Sequence, residues 1–265
     1  MIDPGKTAFF VPPGLSPFKQ KLFDRVGAAI VQKGGRIVRT NEKLLLDIPD
    51  DIIPIVGCTP ALKSLIEGWR ARSRRWIYWD RSYCRRVFAT WLPRGENGGY
   101  YRWCINSFQM QKIRDVPDDR WKALKTEVTP WAKGGRHIVI AAPTFPYSAF
   151  HGTERWTDIT VDALARVTDR PLMIRGKESK RPLAEDLKGA HALVAHGSNA
   201  ATEAVILGCP VFVHQDSAAA LVGKTDLKDI EAPVYPDRQP FLNSLAYSQF
   251  SEPEILSGVL WKLIA

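Results

Sequence analysis

The chain has 265 residues, room for one large α/β domain or two of about 130 residues each, and too many to depend on disulfide or metal staples. Hydrophobic residues make up 45% of it and charged residues 25%, a composition that excludes disorder, collagen and a coiled coil. Against 28 Asp and Glu stand 37 Lys and Arg, a formal net charge of +9 that points to a polyanionic partner.

That charge is unevenly placed. Residues 1–132 carry 23 Lys and Arg against 13 Asp and Glu, a net +10, whereas residues 133–265 carry 14 against 15. Within the first half, Trp69, Trp76, Trp79, Trp91, Trp103, Trp121 and Trp131 interleave with Arg70, Arg72, Arg74, Arg75, Arg81, Arg85, Arg86, Arg94 and Arg102. Such a mixture suits phosphates and stacked bases. It equally suits a tryptophan core under a solvated arginine rim. The cysteines Cys58, Cys84, Cys104 and Cys209 form no CxxC pair, so we expect reduced thiols. No window nears 18 uninterrupted apolar residues and no signal-peptide pattern opens the chain, so the expectation is a soluble, cytoplasmic protein.

In chain order, 7–14 reads as a buried strand running into Pro12, Pro13 and Gly14. Residues 16–33 form an amphipathic helix, with Phe18, Leu22, Val26 and Ile30 on one stripe and Gly34-Gly35 as its stop. Strands are predicted at 35–40 and 51–57, then a helix from Thr59 as N-cap with Pro60 behind it. Residues 74–80 form a strand ending on Asp80, and a short strand follows at 101–105 after an irregular, Gly-rich stretch. Gly134-Gly135 marks a domain boundary near 132. Beyond it come a strand at 136–143, a loop at 144–154, a helix at 156–167, a strand at 170–177 and a short helix at 182–189. A strand at 191–196, a helix at 198–207 stopped by Gly208, and a strand at 209–214 complete the alternation. Without hairpin signals this pattern means parallel sheets flanked by helices. The tail from Ser251, with Glu254 three residues on, reads as a capping box opening a terminal helix.

Both Gly-Lys-Thr triplets lack the glycine five residues upstream that a phosphate-cradling loop needs, and no GxGxxG follows a strand. The five histidines show no metal-ligand spacing, so no metal and no cofactor is expected. The strongest signal is 191–213, HALVAHGSNAATEAVILGCPVFV. A strand delivers the small-residue turn His196-Gly197-Ser198-Asn199, which opens directly into a helix, where free amides with Ser198 and Asn199 form an anion site for a diphosphate. Glu203, one and a half turns on, is placed for ribose hydroxyls. A plain N-cap and a solvated glutamate fit the same residues.

The segment RGKESKRPLAEDLKGAHALVAHGSNAATEAVILGCPVFV resembles the nucleotide-sugar half of GT-B glycosyltransferases, particularly the capsular polysaccharide type, over about residues 136–214. The resemblance implies an α/β fold with two Rossmann-like domains, mostly parallel sheets, facing across a cleft: 1–132 a basic acceptor domain, 133–265 the donor domain with the terminal helix. It also implies a nucleotide sugar such as a UDP-sugar as co-substrate. Ser198, Asn199 and the amides near Gly197 and His196 would hold its diphosphate, Glu203 its ribose, and Arg175 or Lys177 its phosphates. GT-B transfer with inversion takes its base from the N-terminal domain. Asp80, among Arg74, Arg75 and Arg81, is the candidate, with a salt-bridge role as the alternative and His151 and His196 in reserve.

Charge and aromatics together nominate Arg74, Arg75, Trp79, Arg81, Arg85 and Arg102 as acceptor contacts. The acceptor expected is DNA carrying a hydroxymethylated pyrimidine, which makes the chain similar to the base glycosyltransferases of bacteriophages. An acidic polysaccharide or lipid-linked glycan is the second acceptor class, and a non-catalytic DNA-binding module the third reading.

Overall fold

The computed structural model describes residues 2–40, 42–53, 57, 60–84 and 99–264. The chain divides into two compact units, Met1–Gln109 with Ala246–Ala265, and Met110–Leu245. The division therefore falls before residue 110 rather than near 132, and the terminal helical segment belongs to the first unit.

In the first unit, strand β1 (Thr7–Phe10), helix α1 (Pro17–Gln32), strand β2 (Arg36–Val38), strand β3 (Asp51–Ile53) and helix α2 (Pro60–Ala71) follow the predicted alternation. The strands form a parallel sheet in the order β2-β1-β3. Thr59, the predicted N-cap of α2, lies outside the described residues, as does 54–56 of the third predicted strand.

After α2 the topology departs from the expectation. Strand β4 (Ile77–Arg81) pairs antiparallel with β5 (Tyr100–Ile105), and β5 pairs antiparallel with β10 (Gln249–Ser251). The two long strands β4 and β5 are joined through residues outside the description, so no short turn signal announces their pairing.

Helices α9 (Glu252–Ser257) and α10 (Val259–Leu263) follow β10, parted by Gly258 at φ +85°. As predicted, the Glu254 carboxylate accepts from the Ser251 N–H at 2.8 Å. These helices supply Ile255, Leu260, Trp261 and Ile264 to a core that also holds Phe9, Phe23, Val26, Trp79 and Trp103. Arg25 of α1 pairs with Glu252 of α9. Burial of that apolar surface is what draws the tail back to the first unit.

The second unit contains α3 (Asp119–Ala123), β6 (His137–Ala141), α4 (Phe145–His151), α5 (Trp156–Leu164), β7 (Leu172–Arg175) and α6 (Leu183–Asp186). It continues with β8 (Ala190–Ala195), α7 (Asn199–Ile206), β9 (Val211–Val213) and α8 (Gln239–Ala246). Its sheet is parallel, in the order β7-β6-β8-β9. Ile138, Ile140, Leu164, Ala192, Val194, Phe212 and Ile230 form its core.

Residues 144–151, predicted as loop, are instead α4: Thr144 stands extended at the N-cap, Pro146 sits in the first turn and Gly152 closes the end at φ +67°. Segment 129–132 is stitched into this unit. Thr129 and Ala132 donate N–H bonds to the Ile206 and Gly208 carbonyls at 3.0 and 2.7 Å, and Trp131 Nε1–H donates to the Pro236 carbonyl at 2.9 Å. The buried Arg238 guanidinium stacks 4.3 Å from the Trp131 ring centroid and donates to the Thr129 and Val205 carbonyls. Those bonds are why the boundary cannot lie at 132.

Counted by observed unit, the net charge is +8 in the first, with 19 Lys and Arg against 11 Asp and Glu, and +1 in the second, with 18 against 17. Among the described residues no helix is long and apolar enough to cross a membrane.

Candidate functional site

An open parallel sheet binds ligands outside the carboxyl ends of its strands, at the point where strand order reverses. In the second unit β6 leads outward to β7 on one side, while β8 and β9 add on the other, so the reversal lies between β6 and β8. The chain leaving β6 enters α4, and the chain leaving β8 is His196-Gly197-Ser198. Across that point Tyr147 Oη lies 2.9 Å from His196 Nδ1.

Around this bond three imidazoles gather. His196 is buried, with its ring centroid 5.7 Å from that of His151 on α4 and 4.4 Å from that of His214, the residue following β9. His196 and His214 are stacked with planes 11° apart, and the His214 N–H donates to the His196 carbonyl at 3.2 Å, which extends the β8/β9 pairing past both strands. Trp156 closes the group with its ring edge-on, 6.1 Å from His196. Burial pushes the His196 imidazole down to about 4, aided by His214 and His151 and opposed by Asp216, so it is neutral near pH 7. The other two histidines are structural: His137 and His191 hold the carbonyls of Asp186 and Ile230 through Nε2. Among the described residues no group of His, Cys, Asp or Glu has the geometry to hold a metal ion.

Ser198 is the N-cap of α7, its hydroxyl accepting from the Ala200 N–H at 3.1 Å. Gly197, Asn199 and Glu203 are half-buried beside it. Arg175, at the end of β7, is committed to its own chain: its guanidinium meets the buried Asp186 carboxylate, the Arg181 carbonyl and Ser179 Oγ. Arg181 pairs with the same Asp186 at 2.8 Å. Lys177, two residues on, is exposed.

The residues nominated for the acceptor fare differently. Trp79 is wholly buried and cannot stack on a base; its ring lies 5.2 Å from Trp103 and 5.0 Å from Phe23. Trp69, Trp76, Trp103 and Trp121 are buried too, so the tryptophans in this stretch are core, apart from the half-buried Trp131 and from Trp91, which lies outside the described residues. Burial likewise removes Arg102 from contact with an acceptor. Its guanidinium pairs with Asp80 at 3.2 Å and lies over the Tyr78 and Tyr83 rings.

The Asp80 carboxylate also accepts from Tyr78 Oη–H at 3.2 Å and from the Arg81 N–H at 2.7 Å. It thus holds the counter-charge of a buried cation. Arg74 donates to the Leu46 and Asp50 carbonyls at 2.9 Å each, and Arg75 makes a two-pronged pair with Asp51. Arg81 is exposed, and Arg85 lies outside the described residues.

No protein-family model matches the chain, and no curated protein sequence matches it. Its fold, mixed α/β with a parallel sheet in each unit and an antiparallel sheet in the first, is similar to folds already solved. Two solved structures from Thermosulfurimonas dismutans KpsC carry that likeness. The beta Kdo 2,4 transferase aligns with a TM-score of 0.53 at 10% identity over 96% of this chain and 98% of its own, and the beta Kdo 2,7 transferase with 0.53 at 10% over 97% and 99%.

Proposed function

We propose that the chain is a nucleotide-sugar-dependent glycosyltransferase whose second unit binds the donor at the carboxyl edge of its parallel sheet. The observation that carries this reading is the convergence of Tyr147, His196 and the start of α7 at the reversal of strand order, in a fold shared with two Kdo transferases. The amides opening α7, with Gly197, Ser198 and Asn199, take the donor's phosphate groups. Lys177 adds positive charge there, Glu203 accepts from ribose hydroxyls, and Arg175 acts by holding the loop that carries Lys177. Electrostatic stabilisation of the departing nucleotide by these groups needs no metal ion or resident cofactor.

The first unit, at +8, is the natural holder of a polyanionic acceptor. Hydroxymethylated DNA is one such acceptor, bound through exposed arginines such as Arg81 rather than through stacked tryptophans. An acidic glycan is the other, and the likeness to Kdo transferases together with the burial of the tryptophans favours it.

The test incubates the full chain with a panel of sugar nucleotides and three acceptors: hydroxymethylated DNA, unmodified DNA and acidic oligosaccharides. Mass spectrometry of acceptors and nucleotides reads the result. A sugar added to one acceptor class names the acceptor. No transfer, no donor hydrolysis and no thermal shift with any donor would overturn the transferase reading.

A further inference from the structure

His214 is not part of the phosphate site argued above, yet it is the exposed member of the imidazole stack, with its side chain 40% accessible. The Asp216 N–H donates to its Nδ1 at 3.3 Å, which makes that nitrogen an acceptor and puts the ring proton on Nε2. The Asp216 carboxylate stands 3.6 Å from the same Nδ1, ready to receive a second proton's charge after a small ring rotation. Beneath the ring lies His196, buried, whose Nδ1 is occupied by Tyr147.

Two further titratable groups lie on the elements packed around this stack. His151 on α4 faces His196, and Lys224, whose backbone pairs with Val213, sends its ammonium to Asp229 at 3.0 Å.

We propose that His214 is a phosphate-recognition residue: its Nε2–H donates to a phosphate oxygen of an anionic ligand at the carboxyl edge of the sheet, and binding draws its ring into the imidazolium form. The inference rests on the donor-site reading of this edge. His196 acts as its platform, since an uncharged ring in face-to-face contact supports a cation on its neighbour where a second imidazolium would repel it. Asp216 acts twice, fixing the tautomer through its amide and balancing the charge through its carboxylate.

The chain has five histidines, so nitrogen and carbon NMR of the labelled 265-residue chain resolves each ring. The expected neutral form of His214 without ligand is the Nε2–H tautomer. Pyrophosphate, used as the probe, should shift its resonances and raise the pH at which it titrates. Affinity for pyrophosphate should weaken as pH rises through that titration, and H214Q should lower it about tenfold at low pH and abolish the dependence.

An Nδ1–H tautomer in the wild type, or unchanged affinity and pH dependence in H214Q, would sink the proposal whether or not H214Q folds well. Retained donor KM in H214Q would overturn the role of His214 and leave the transferase reading standing. His214-dependent pyrophosphate binding without any sugar transfer would do the reverse.

Discussion

Replacing Asp80 by asparagine separates a proton acceptor from an ion-pair partner. In the wild type the Arg102 side chain is 9% exposed and the Asp80 side chain 22%, and burial opposes the guanidinium charge. The Asp80 carboxylate, with Tyr83, Tyr78 and Cys104, outweighs that burial and holds the Arg102 pKa above its ordinary value. Asp80→Asn keeps the shape and removes the counter-charge. Breaking a buried pair from one side costs about 3–5 kcal/mol. Because Asp80 keeps some water contact and both tyrosine rings stay under the guanidinium, the lower end applies, about 3 kcal/mol.

At roughly 2–4 °C per kcal/mol for a chain of this size, the thermal midpoint should fall by about 6–12 °C. Asp80→Asn combined with Arg102→Met, which removes both charges, should recover most of that loss. Circular dichroism melts give the midpoints, and donor turnover is measured per folded molecule well below the lower one. An Asp80→Asn protein that melts within about 1 °C of wild type yet turns over about a hundredfold more slowly would refute the ion-pair reasoning and make Asp80 the base.

Trp79→Ala should destabilise the first unit by about 3–5 kcal/mol in urea unfolding, since a fully buried indole leaves a cavity among Phe9, Phe23, Tyr101 and Trp103; a fully stable variant that loses only acceptor affinity would contradict the core assignment. His196 binds its proton near pH 4 when folded and near 6.5 when unfolded, so the unfolded chain carries more protons between those values. Stability must therefore rise with pH across that window and be lost as pH falls through it, at most ~1.4 kcal/mol per pH unit. His196→Phe should flatten this slope in chemical unfolding at a series of pH values. Gly208→Ala should destabilise the second unit by more than 1 kcal/mol on the order of a strained αL residue, because φ is +79° and a Cβ would lie 2.1 Å from the Pro130 carbonyl oxygen; a melt unchanged from wild type would dismiss that contact.

Much of the second unit was legible because β6, β8 and β9 are buried on both faces and supply the apolar runs within 136–143, 191–196 and 209–214. Helix α4 falls in the stretch expected as loop because its first turn holds Pro146 and its stop is Gly152, residue types that helix ends share with loops. Misplacement of the tail has another cause. A capping box specifies where a helix begins and says nothing of which core receives its apolar face, here one built from residues more than 200 positions away in sequence, such as Val26 and Phe9. The candidate site is legible only in part: the turn at 196–199 stands out locally, whereas His214 and Tyr147 come near it only through the register of β8, β9 and β6. His214 carries a local signal, a polar residue just past an apolar strand, whereas Tyr147 lies within α4 and carries none. Trp and Arg interleaving fitted two readings in sequence, and only burial distinguishes them.

Because β10, α9 and α10 complete the first unit, residues 110–245 amount to a domain inserted between β5 and β10. Synthesis runs from the N-terminus, so the inserted unit is complete as a continuous stretch while the first still waits for Trp261 and for the strand that covers one edge of β5. Until those residues emerge, that edge and the apolar surface of Phe9, Val26 and Trp103 stand open to mispairing. The most basic part of the chain is thus also the last to become a finished domain, and a nascent chain halted near residue 245 would present a folded second unit tethered to an unclosed first one.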